Sequence, residues 1–460
     1  MIEYSEVYPK RILAVTTLAS FLTAFISSAI NIALPAISND FDLSSIMLTW
    51  VSTSYLLTTV VLLIPIGKLA DLVSRKLFFK IGTAVFTVGT FFCSISNSDV
   101  ILLISRIIQG LGAAFIFCTA IPILISAYDK SQRGRVIGIN TASVYVGLAT
   151  GPVVSGIVVD NLGWRYIFVF NYIIGFLVTL FAAKTLRHTP QRSFKITDFD
   201  FGGTLIYIGM FITLFIGFSF IPQITGFIFI TISIIAFLIF LIVEKKVKIP
   251  IFDFTIFRNN RVFLFSNIAA FINYSSTFAI GFLMSLYLQN IKHISAKDTG
   301  LLLIAQPVFM AIFSPLAGKL SDKKEPQIIA SFGMGIITIC LGFLVFVDFF
   351  FSKMIIVIVI SILGFGYALF SSPNSNAIMS SVKSSLYSTA ASTLSSMRMI
   401  GQSFSMGIVT IVFSIMFGSI KFAAIDIPIL LSSIRLVLII FVILCFAGIF
   451  SSLARGSIHS

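Results

Sequence analysis

The sequence predicts an all-α polytopic membrane protein of fourteen spans, arranged as two six-helix bundles with two further helices inserted between them. Three observations predict it. Of 460 residues, 58% are hydrophobic and only 10% charged, against about a quarter charged in an ordinary soluble domain. The apolar residues gather in stretches of about 20, the length a helix needs to cross a bilayer core. The cations gather in short loops on alternate sides of those stretches. A water-soluble sphere has no means of hiding this much apolar surface, so lipid is the solvent.

Taken in order, the first six spans are Ile12–Leu34, Ile46–Ile66, Leu77–Ile95, Ile101–Ala127, Val136–Val159 and Tyr166–Ala183. Phe201–Phe220 and Ile224–Val243 follow, separated by Ile221-Pro222-Gln223, where Pro222 favours a break and a kinked single helix is the alternative. The last six are Val262–Leu288, Thr299–Leu316, Gln327–Val347, Met354–Met379, Ser388–Phe417 and Ile429–Leu453. Charge gives an independent check. An even count puts both termini on one side, and most of the 31 Lys and Arg then fall in that side's loops and span ends. Only Arg165, Lys292, Lys297, Lys353 and Lys421 fall opposite, while Arg106, Arg398 and Arg435 lie within spans. Cations mark the cytoplasmic face, so both termini are expected there, in a multi-pass protein of the cell membrane. The first stretch is too long for a signal-peptide core and is expected to remain as a span.

The net charge of +14 is dispersed among these loops and forms no polar face for nucleic acid. Cys93, Cys118, Cys340 and Cys445 sit singly in apolar stretches and read as small core residues. His188, His293 and His459 are isolated from one another, so no metal site or cofactor is expected. No GxxxxGK[ST] string is present to bind ATP. An enzyme would need clustered His, Asp or Glu, and a channel would need a selectivity ring; neither pattern occurs.

An internal repeat is visible. Pro65-Ile66-Gly67-Lys68-Leu69-Ala70-Asp71 closes the second span, and Pro315-Leu316-Ala317-Gly318-Lys319-Leu320-Ser321-Asp322 closes the tenth. The same Gly-Lys-Leu-small-Asp string thus enters a cytoplasmic loop twice, at equivalent places of two six-helix halves. This divides the chain into 1–190, an inserted pair in 191–255, and 256–460. Related halves around a midplane site are the architecture of alternating-access transporters.

The string from Gly67 through Asp71 to Arg75-Lys76 resembles the loop signature of the major facilitator superfamily, with Ser74 where a glycine is usual. The resemblance covers nearly the whole chain and is specifically to the fourteen-spanner drug:proton antiporters. It implies a secondary transporter that exports small organic compounds, with Gly67, Asp71, Arg75, Lys76 and Asp322 in the gates. Arg133 or Arg135 would join the same charge network. Arg106-Ile107-Ile108-Gln109-Gly110-Leu111-Gly112 resembles the fourth-helix motif, which implies a part for Arg106, with Asp71, in proton coupling. Snorkelling, or packing of Arg106 against carbonyls, is the other reading of an arginine at that depth.

Gly147-Leu148-Ala149-Thr150-Gly151-Pro152-Val153-Val154-Ser155-Gly156 is similar to the antiporter motif of exporters. Its small residues permit close helix approach and Pro152 supplies a bend, although ordinary small-residue packing has the same composition. Asn31 to Pro35, Trp50 with Tyr55, Trp164-Arg165 with Asn171, and Ala377 to Ser381 followed by Arg398 and Gly401 are further matches. One departure stands out. The antiporters usually carry an Asp nine residues before Pro35, and here Ile26 occupies that place. Protons would then be handled at Asp71 or around Arg106, or a cationic substrate would supply the exchanged charge.

The substrate cavity is expected near midmembrane between the halves, with polar groups in an apolar wall. Thr23, Ser27, Asn31, Trp50, Ser54, Tyr55, Thr58, Asn267, Asn273, Tyr274 and Gln306 are its candidates, and Asn374 and Asn376 border it or its gate. Interhelical hydrogen bonding is an equal explanation for each. Aromatic and neutral polar walls suit amphipathic drugs, dyes and biocides; a carrier for one metabolite or lipid-like molecule is the alternative. The family further implies a monomer in contact with membrane lipid.

Overall fold

A computed structural model describes residues 2–129, 132–186, 199–247, 250–251, 254–258, 260–348, 352–383, 386–418 and 420–456. Of the residues named above, His188 and His459 lie outside these, as does the side chain of Arg133. The described chain is helical, and fourteen of its helices are long and apolar enough to cross a membrane.

The helices are α1 (Ile2–Phe41), α2 (Ser45–Leu72), α3 (Arg75–Ser94), α4 (Asp99–Ala127), α5 (Arg133–Leu162) and α6 (Arg165–Thr185). Then come α7 (Phe201–Phe220) and α8 (Ile224–Lys246). The last set is α9 (Arg261–Thr277), α10 (Ile280–Leu286), α11 (Ala296–Leu303), α12 (Ala305–Ser321), α13 (Pro326–Val345), α14 (Lys353–Ser380), α15 (Tyr387–Phe417) and α16 (Ile427–Leu453). The break at Pro222 is real: α7 and α8 form a hairpin. Gly217 and Gly226 face each other across it so closely that a Cβ on Gly226 would sit 3.0 Å from the Gly217 carbonyl.

Three spans differ from expectation for reasons the side chains explain. The first span, expected to end at Leu34, continues to Phe41 through Pro35. Proline has no N–H for the carbonyl four residues back. That carbonyl belongs to Asn31, and it accepts instead from Ser285 Oγ at 2.6 Å. The ninth span is interrupted at Phe278–Ala279 and ends in a π-helical turn, Tyr287–Ile291. The hydroxyls of Ser275, Ser276 and Thr277 bond back to the carbonyls of Phe271, Ile272 and Asn273. Such back-bonding bends helices, and the freed Ala279 N–H donates to Ser405 Oγ at 3.0 Å. The tenth span is two helices, α11 and α12, joined at Ile304.

The chain clusters into two compact units. The first comprises Met1–Ser28, Ile46–Gly151 and Asn161–Asp253; the second comprises Ala29–Ser45, Pro152–Asp160 and Phe254–Ser460. In the first, α3 packs on α4 and α6, and the inserted hairpin is tied to α2 by Trp50 Nε1 donating to Ser219 Oγ at 2.8 Å. In the second, α14 packs on α12 and α13, and α9 on α15 and α16. This unit also takes in the C-terminal parts of α1 and α5. Arg455, counted above among loop cations, lies just past α16 and is fully buried, with Nε and Nη2 on Ser452. Burial pushes its pKa down to about 10.

Candidate functional site

The loop after α2 is short because α3 starts at Arg75. Ser74 caps it, its hydroxyl accepting from Leu77 N–H at 3.4 Å, with an extended backbone (φ −174°) that any residue adopts. Serine therefore replaces the usual glycine without strain. Asp71 Oδ1 accepts from Arg75 Nε at 2.5 Å. Both side chains are partly exposed, so the pair contributes about 1 kcal/mol or less. Lys76 Nζ donates to Tyr8 Oη at 3.3 Å, and Gly67 faces Cys118 of α4. Arg135 is exposed. The second copy of the string is built differently: Asp322 Oδ1 and Ser321 Oγ both accept from Asn376 Nδ2 of α14, at 3.1 and 2.9 Å. A neutral amide thus stands where the first copy has a guanidinium.

Arg106 is 1% exposed. Its Nε donates to the Val51 carbonyl at 3.0 Å, its Nη1 to Gln109 Oε1, and its guanidinium lies 4.5 Å from the centre of the Tyr55 ring. Gln109 in turn donates to Thr90 Oγ1 at 2.7 Å, and Tyr55 Oη to the Thr23 carbonyl at 3.4 Å. This network joins α1, α2, α3 and α4 through neutral partners, the carbonyl contact foreseen as one of the two readings of Arg106. Gly110 lets α4 approach α2 at Tyr55 and Thr58.

The glycines of α5 are contact points. A Cβ on Gly147 would meet the Phe21 carbonyl of α1 at 2.7 Å. In the second unit, a Cβ on Gly156 would lie 2.4 Å from the Ala296 carbonyl, and one on Gly300 would lie 2.1 Å from that of Pro152. The C-terminal half of α5 and the start of α11 therefore touch backbone to backbone. Asp160 fastens the end of this contact, accepting from the N–H groups of Ala296 and Lys297 at 3.2 and 2.9 Å. Gly151, at the boundary between the units, is buried.

The structure distributes the cavity candidates unevenly. In the first unit Thr23, Ser54 and Tyr55 are buried, Thr58 bonds back to Ser54, and Ser27 is half-buried. Trp50 turns to Ser219 of the inserted hairpin, so its indole N–H is used in an interhelical bond. In the second unit Asn31 and Gln306 are half-buried, whereas Asn267, Asn273 and Tyr274 are buried. Ser54 Oγ, Asn267 Oδ1 and both amide atoms of Asn273 are buried without a hydrogen-bond partner. Sequence reasoning assigned no role to Gln109, Thr90 or Tyr367. The seven-residue spacing of Tyr367 from Asn374, two helical turns, was the available signal for the last.

Residues 16–406 match the Major Facilitator Superfamily. The chain belongs to the major facilitator superfamily. Among curated relatives of this superfamily, the riboflavin transporter RibZ of Clostridioides difficile is 30% identical over 81% of this chain and 81% of its own. The multidrug transporter MdtP of Bacillus subtilis is 29% identical over 78% of this chain and 67% of its own. The multidrug resistance protein Stp of Mycobacterium tuberculosis is 28% identical over 85% and 73%. A bacterial homologue of the lysosomal transporter Spinster, solved inward-facing and unoccupied, shares the fold with a TM-score of 0.69 at 18% identity, covering 98% of this chain and 97% of that one. The superfamily member described here is a multi-pass transporter of a small-molecule substrate and not an enzyme; its fourteen helices and multidrug relatives place it with the fourteen-spanner branch.

Proposed function

We propose that the chain exports small amphipathic organic compounds (drugs, dyes and biocides) from the cytoplasm in exchange for protons, by alternating access. It works as a monomer in the plasma membrane with both termini cytoplasmic. The observation that carries the reading is the backbone contact of the antiporter-motif glycine Gly156 with α11, reciprocated by Gly300 against Pro152. A contact this tight is made or broken as a whole, which suits a two-position switch. Relatives named for multidrug transport and multidrug resistance support the same reading. In it, 1–190 and 256–460 are the working halves and 191–255 an appended hairpin. Asp71, Arg75 and Asp322 act at the gates, and Asp71 and Arg106 handle the proton, since Ile26 is apolar and fully buried. Dye efflux from cells stripped of their own pumps tests it: expression should lower accumulation of several unrelated amphiphiles, and collapse of the proton gradient should restore it.

A second reading, a carrier for one metabolite, is favoured by the similarity to a protein named a riboflavin transporter. It predicts efflux of one compound and no change for the rest of the panel.

A further inference from the structure

The interior of the second unit is layered along α9, α14 and α15. At one level Phe263 and Ile378 pack with Leu394 as an apolar floor. One turn outward on the same faces stand Asn267, Asn374 and Arg398, four residues from each floor residue. Asn374 Nδ2 donates to the Ser266 carbonyl at 3.1 Å, which joins α14 to α9 at this level, and Asn267 Nδ2 donates to the Phe263 carbonyl at 2.8 Å. Both amide nitrogens are thus committed to backbone, while both Oδ1 atoms are buried and unpartnered, as is Arg398 Nε. Two turns from the asparagines, Tyr274 and Tyr367 meet edge to face with ring centres 5.6 Å apart.

Arg398 lies eleven residues into α15, roughly 16 Å along the helix. Asp322 comes nearest to this level, but its Oδ1 is taken by Asn376 Nδ2, and among the described residues no carboxylate pairs with Arg398. Amide oxygens can orient a guanidinium without cancelling its charge. Arg106 is satisfied by a backbone carbonyl and an amide oxygen, whereas Arg398 Nε is left open, and an anion would complete it.

Resting on the export reading, we propose that this layer binds the substrate and that the substrate class is the amphipathic aromatic anion. The anionic group sits on Arg398, oriented by Asn267 and Asn374, and the ring body lies against Tyr274 and Tyr367. Export then carries negative charge outward, down an inside-negative potential. For each unit of charge, 100 mV supports a gradient of about 50-fold. One-for-one exchange of a cation for a proton moves no net charge and ignores the potential.

The test uses the full-length protein in proteoliposomes with a potassium diffusion potential set by valinomycin and no pH gradient. Fluorescein and rhodamine 6G serve as anionic and cationic probes on one ring system. Fluorescein should leave faster when the lumen is negative and accumulate when it is positive, with a response of at least tens of fold per 100 mV. Arg398→Gln should slow it at least tenfold, and Arg398→Lys, which keeps the charge, should retain most of it; equal monodispersity of all three proteins separates loss of binding from loss of folding. Movement of rhodamine 6G in preference to fluorescein, indifference of fluorescein to the sign of the potential, or wild-type rates in Arg398→Gln would overturn the proposal and leave export standing. Movement of neither dye would overturn both.

Discussion

Adding a single methyl group at Gly156 should cripple export without preventing insertion. In Gly156→Ala the new Cβ would lie 2.4 Å from the Ala296 carbonyl and 2.9 Å from Lys297 Cα; in Gly300→Ala it would lie 2.1 Å from the Pro152 carbonyl. These obstacles are backbone atoms, so no side-chain rotation relieves them, and α5 and α11 must separate by about 1 Å to reach ordinary contact. Overpacking of this kind costs about 1–3 kcal/mol. At 1.36 kcal/mol per decade, that displaces a two-state equilibrium about 5- to 150-fold away from the state in which these helices touch. A transporter that must visit that state in every turnover should lose export by a similar factor. The assay is initial dye efflux from pump-deficient cells, normalised to protein in the membrane. Gly138→Ala, on the same helix with nothing within 4 Å of its Cβ, is the control and should export normally. Wild-type efflux from Gly156→Ala, or equal damage from Gly138→Ala, would refute the switch role of this contact.

Three other outcomes follow from the same geometry. Asp71→Asn removes the charge that meets Arg75 and should reduce export at least tenfold; because the pair is exposed, the melting temperature in detergent should move by no more than a degree or two, as checked by a fluorescence melt. Arg106→Ala leaves the Val51 carbonyl and Gln109 without their donor; with charge-assisted bonds contributing about 1.5–3 kcal/mol each, the same melt should show a drop of several degrees. Asp160→Ala uncaps the start of α11, costing about 1 kcal/mol, and export should fall several-fold while Asp160→Asn retains most of it.

Composition and spacing made the fourteen helices legible, because a bilayer imposes length and apolarity on each span independently of its neighbours. Departures arose where one helix repairs another. Pro35 reads as a stop, and nothing near it in sequence reveals that Ser285 supplies the missing donor to Asn31. The interruption after Thr277 likewise depends on Ser405, far along the chain. Site residues divide in the same way. The glycines of α5 could be singled out because small residues at helical spacing mean close approach, but their partners, α1 for Gly147 and α11 for Gly156, could not. Trp50 looked like a cavity aromatic, and its bond to Ser219 required knowing that the inserted hairpin lies beside α2. The Asn267, Asn374 and Arg398 layer was visible only in fragments, since its three helices are brought to one level by the fold.

The central claim is export, and purified protein in sealed vesicles tests it most directly. Vesicles preloaded with a fluorescent amphiphile should lose it several-fold faster with the wild-type chain than with Gly156→Ala, and faster again when a proton gradient is imposed from the opposite side. Loss at the rate of protein-free vesicles, under every gradient applied, would contradict the account.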